Sequence, residues 1–66
     1  MSASNYHHLD VDEIKAETDK ALLLVIGDEE FWIPKTQIES PDDYKKGDKN
    51  CTVSVTDWIA RQKGLL

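Results

Sequence analysis

Six side chains in the second half of the chain have the chemistry to hold a flat, anionic ligand: Trp32, Lys35, Tyr44, Lys45, Lys46 and Arg61. An indole offers a large flat surface and one donor, which suits stacking on a nucleobase or anchoring a protein interface. Lysine supplies a point charge for a phosphate and arginine a planar fork. Lys35 follows Pro34, where a side chain projects from the rim of a sheet beside Thr36 and Gln37, and Tyr44 adds an aromatic to the loop that carries Lys45 and Lys46. Against this stands the plainer reading that Lys-Lys-Gly-Asp-Lys is the composition of a solvated loop. Trp58 reads as core, packed under a helix. Trp32 is open between a helix-covered position, a subunit interface and a ligand site.

Other residues with reactive side chains point to little. His7 and His8 are adjacent, and adjacent side chains rarely converge on one metal. The neighbouring acids Asp12-Glu13, Glu29-Glu30 and Asp42-Asp43 fall in turns and loops where water solvates them, whereas a working acid–base pair needs burial or a shared site. There is no Gly-rich phosphate loop, nucleophile elbow or zinc-enzyme motif. The expectation is a non-catalytic protein with no cofactor and no metal. A single cysteine, Cys51, cannot form an internal disulfide and reads as a small buried hydrophobe at the start of a strand.

Sixty-six residues allow one domain and a marginal core, since a chain this short buries only about 60% of its unfolded surface. With no disulfide or zinc staple, homo-oligomerisation is the expected support. No apolar run reaches the ~20 residues of a membrane span, and the first residues lack the regions of a signal peptide, so a soluble, cytoplasmic protein is expected. The net charge of −5 opposes non-specific contact with nucleic-acid backbones. It is unevenly spread: residues 1–31 carry eight acids against Lys15 and Lys20, whereas residues 32–66 carry five acids against six cations. An anion site therefore belongs to the second half and an acidic contact surface to the first.

The elements that must position these groups follow from local pattern. Residues 1–8 are small and polar and read as a mobile tail, leaving 9–66 as one domain. The pattern Leu9, Val11, then Ile14, Ala16 changes parity, which predicts a bulge or a late strand start, with the first strand roughly Glu13 to Thr18 and a turn at Thr18-Asp19-Lys20. Ala21 to Ile26 is a branched apolar run too short for a helix and reads as the second strand. Gly27-Asp28-Glu29 turns the chain, and the third strand runs to Ile33, with Phe31 and Ile33 on one face and Trp32 on the other. Glu39 to Asn50 is a long polar connection. Cys51, Val53 and Val55 alternate with polar residues as a fourth strand, and Thr56 caps a short helix over Asp57 to Lys63 that Gly64 ends. Trp58, Ile59, Leu65 and Leu66 are expected to form its buried side, and Leu22, Leu24, Phe31, Ile33, Val53 and Val55 the core. The fold class is α+β: a small bent antiparallel sheet, a partial barrel in the order β-β-β-loop-β-α. Both faces of the central hairpin are apolar, so a helix or a second subunit must cover the second face.

The segment Phe31-Trp32-Ile33-Pro34-Lys35-Thr36-Gln37-Ile38 resembles the Trp-Ile-Pro-Lys-Ser-Gln pattern of small uncharacterised phage and prophage proteins, with Thr36 in place of the serine. Val55-Thr56-Asp57-Trp58-Ile59-Ala60 is similar to the tail of the same group. The resemblance implies a phage accessory protein acting in the host cell and transfers no catalytic residues. The resulting expectation is a binding protein that counters host defence by sequestering a nucleotide-like signal at oligomer interfaces. Alternatives are an inhibitor whose acidic half occupies a basic surface on a host defence or nucleic-acid enzyme, and a single-strand-binding module using Trp32 and the lysine loop.

Overall fold

The computed structural model describes residues 5–65. Four strands form one antiparallel sheet: β1 (Tyr6–Glu17), β2 (Ala21–Ile26), β3 (Glu29–Pro34) and β4 (Lys49–Thr56), followed by a short helix α1 (Asp57–Gln62). Their spatial order is β3-β2-β1-β4, an open sheet. The class is a small α+β fold that is mostly β. Of the expected tail, Met1 to Ser4 lie outside the described residues, but Tyr6, His7 and His8 do not belong to a tail. They pair with Thr56, Val55 and Ser54 as the first rungs between β1 and β4. β1 thus starts well before Glu13, because its partner lies at the far end of the chain.

The β2–β3 hairpin follows from its sequence. Ile26 pairs with Glu29 across a two-residue turn in which Gly27 has φ +62° and Asp28 does not share that region, the pattern of a type II′ turn that needs glycine first. The Asp12 carboxylate accepts from the Gly27 N–H at 2.8 Å and ties the turn to β1. Alternation places Leu22, Leu24, Phe31 and Ile33 on one face and Leu23, Val25 and Trp32 on the other.

The first face carries the core. Leu9, Val11, Ile14, Leu22, Leu24, Ile33, Ile38, Val53, Val55, Ile59 and Ala60 form one buried cluster. The expected core holds except that Phe31, on the outermost strand, is only half-buried. Val11 and Ile14 share the cluster despite their odd spacing, so the expected change of parity is present, and the register against β2 shifts between Ile14 and Ala16. The same face is roofed by α1 and by the connection over 39–48, since β4 starts two residues earlier than the expected Cys51. Ile38 bridges Val55 on the outer edge of β4, Glu39 N–H donates to the Ser54 carbonyl at 2.8 Å, and Ile14 exchanges backbone bonds of 2.8 and 2.7 Å with Asp48 and Gly47.

The helix is set by its caps. Thr56 Oγ1 accepts from the Ile59 N–H at 3.2 Å. At the other end Leu65 N–H reaches the Ala60 carbonyl and Gly64 N–H the Arg61 carbonyl, with Gly64 at φ +71°, a Schellman closure. Its buried residues are Ile59 and Ala60. Trp58, expected in the core, is instead 59% exposed. In a helix of six residues only one narrow side meets the sheet, and Trp58 sits about 100° around the axis from Ile59. Leu65 packs against the core as expected, and Leu66 lies outside the described residues.

Candidate functional site: an open sheet face with an acidic border

The residues expected to form one anion site occupy four separate places. Lys35 follows β3, and its Nζ pairs with Glu17 Oε2 at 2.8 Å. The Lys46 backbone N–H donates to the other Glu17 oxygen at 3.4 Å, and the charge of Lys45 also bears on this carboxylate. The Glu17 carboxyl is accordingly held below its ordinary range, chiefly by the Lys35 hydrogen bond and then by the Lys46 N–H. The charges of Lys35 and Lys45 thus bear on a carboxylate already in place, to which Lys46 contributes only its backbone N–H. Tyr44 packs its ring on the core and donates its hydroxyl to the Thr52 carbonyl at 3.1 Å, so it serves to dock the loop. Arg61 pairs with Asp57 one turn back on the helix at 3.3 Å.

Trp32 is not part of that cluster. It lies on the opposite face from α1 and Tyr44, 45% exposed, directly across from Leu23. Nothing among the described elements roofs this face. The helix, which was one candidate to cover Trp32, covers the core side instead. Leu23 stands outside the core cluster yet is only 9% exposed, because Trp32 and Ala16 flank it on either side along the pairing direction. Val25 continues the apolar row, half-buried between Glu30 and Glu13. Lys15 reaches across β2 to Glu30 at 2.6 Å, which raises the affinity of its amine for a proton.

Beyond that ion pair, the open face turns polar toward β4. Tyr6, His8 and Asp10 alternate with the core residues of β1, and Thr52 and Ser54 do the same on β4. His8 Nδ1 and Ser54 Oγ lie 2.6 Å apart. The hairpin tip adds Asp28, with Asp12 against the turn, whereas Glu29, opposite Ile26, falls on the core side by the same alternation. An apolar row of Ala16, Leu23, Val25 and Trp32 is therefore bordered by Asp10, Glu13, Glu30 and the acidic tip. Sequence reasoning isolated Trp32 and the acidic tip but missed Leu23, Val25 and Ala16 as its companions. The signal was present: period-two alternation places Leu23 and Val25 on the face opposite Leu22 and Leu24.

Cys51 packs half-buried against the core at the edge of the cluster. Burial, with Asp48 nearby, pushes its thiol above the ordinary cysteine range, which is the opposite of what a nucleophile requires. Among the described residues, no three His, Cys, Asp or Glu are grouped to hold a metal ion, and no helix is long and apolar enough to cross a membrane. Compared with family models, with curated proteins and with solved structures, the chain matches none of the three at a significant level.

Proposed function

We propose that this chain is a non-catalytic binding protein of phage accessory type that acts in the host cytoplasm and counters a defence by docking on a basic surface of a host defence or nucleic-acid enzyme. The observation that carries the reading is the open sheet face: an exposed indole beside Leu23 and Val25, bordered by carboxylates. An aromatic anchor within a charged rim is the usual composition of a protein contact, and an acidic border steers it toward a basic partner. The four-stranded antiparallel sheet, its other side filled by the core, supplies the platform for that face. Affinity capture from host lysate tests the reading. Wild-type protein should retain a basic protein that Trp32→Ala and the triple variant Asp28→Asn/Glu29→Gln/Glu30→Gln both lose, and retention by both variants would overturn it.

Sequestration of a nucleotide-like signal at oligomer interfaces is a second reading, favoured by the convergence of the Lys35 and Lys45 charges and the Lys46 N–H on Glu17. An incoming phosphate would have to displace that carboxylate. Calorimetry against linear and cyclic nucleotides decides it, with salt-sensitive binding that Lys45→Ala and Lys46→Ala weaken as the supporting result. A single-strand module is not proposed, since its stacking residue and its lysine loop lie on opposite faces.

A further inference from the structure

β3 is the terminal strand of the sheet, and the hairpin geometry determines which of its backbone groups face outward. Lys35 N–H donates to the Lys20 carbonyl at 2.7 Å, in the same alternation as the pairs Ile33–Leu22, Phe31–Leu24 and Glu29–Ile26. The odd-numbered residues of β3 thus spend their N–H and C=O groups on β2. Glu30 and Trp32 point theirs away from the sheet, where no described element pairs with them. Pro34, next in that alternation, offers a carbonyl and no donor. The edge also has two poles: Asp28, Glu29 and Glu30 at its start, Lys35 and Lys20 at its end.

We infer that this edge pairs with the β3 edge of a second copy of the chain, antiparallel, with Phe31 on the two-fold axis. Three registers are available to the outward groups. Centring on Trp32 sets Glu30 opposite Pro34, which leaves each Glu30 carbonyl facing a residue with no N–H. Centring on Glu30 sets the two Glu30 carboxylates directly opposite one another, an unfavourable like-charge pair. Centring on Phe31 makes Glu30 and Trp32 of one copy exchange both backbone bonds with Trp32 and Glu30 of the other, so the four donors are all satisfied. It also sets the acidic start of each strand beside the lysine end of its partner. The two Phe31 rings then meet at the close, non-hydrogen-bonded position, about 4.5 Å between Cα atoms, and this gives the half-buried Phe31 the neighbour it lacks. The eight-stranded sheet so formed carries both Trp32 side chains on one continuous open face. This pairing does not depend on the proposed function, and each fails separately.

Amide hydrogen exchange on the wild-type chain, resolved by residue and run over a range of concentrations beside sedimentation equilibrium, tests it. A dimer is expected in which the Glu30 and Trp32 amides exchange at least about tenfold more slowly as dimer forms, while the Phe31 and Ile33 amides, already bonded to β2, change little. Glu30→Pro removes an outward donor without touching the β2 ladder and should give a folded monomer. A wild-type monomer throughout, or a dimer in which the Glu30 and Trp32 amides stay fast, would overturn the inference. Failure of the proline variant to fold would leave the wild-type exchange data decisive.

Discussion

Glu17 is the most heavily engaged carboxylate among the described residues, holding Lys35 through one oxygen and the Lys46 N–H through the other. Its folded pKa lies below the unfolded value near 4.5, so the stability it contributes is present above that value and is lost as pH falls through the folded pKa. Thermal unfolding of wild type and Glu17→Gln should therefore differ at neutral pH and converge once the pH drops below about 4.5 toward the folded pKa. The site around Glu17 was only half legible in the sequence. Lys35, Lys45 and Lys46 stand out as cations, but the carboxylate that gathers them is 18 and 29 residues away along the chain from its two partners, and no local pattern connects them. Cys51 yields a second expectation at this scale: its raised thiol should alkylate more slowly at mildly alkaline pH than cysteine in the urea-unfolded chain, as followed by mass spectrometry.

At the level of elements, those dictated by neighbours in sequence are where the pattern predicted them. β2 has the bounds read from its apolar run, the hairpin turns at Gly27, and Thr56 and Gly64 cap the helix. What the pattern missed is set by distant partners: Tyr6 to His8 are strand only because β4 lies beside them, and Trp58 is exposed because α1 is too short to bury more than one side. Two substitutions separate these cases. Leu24→Ala, at a fully buried position, should cost roughly 2–5 kcal/mol in chemical denaturation. Trp58→Ala should shift it by no more than about 0.5 kcal/mol, as expected for a surface site away from caps and core. Loss of the helix cap falls between them, with Thr56→Ala costing about 1 kcal/mol.

For the molecule as a whole, the charge asymmetry read from the sequence becomes a spatial one. The carboxylates around the open face and the hairpin tip all come from the first half, whereas among the candidate cations of the second half Lys35 pairs with Glu17 and Arg61 with Asp57. Association with a basic partner should thus be fast at low salt and slow as ionic strength rises, and the triple neutralisation of Asp28, Glu29 and Glu30 should flatten that dependence in stopped-flow measurements. The order of strands also bears on how the chain folds. β1 is an interior strand with neighbours of very different kinds: β2 follows it after a three-residue turn, while β4 reaches it only with residues 49–56, and the Asn5 carbonyl receives the Asp57 N–H at 3.0 Å. On a ribosome the β1–β2–β3 meander can assemble early, but one flank of β1 stays an unsatisfied template until the last strand emerges. In that interval the long β1, interior in the finished sheet, is itself an edge, and a chaperone or another nascent copy competes with β4 for the same row of hydrogen bonds.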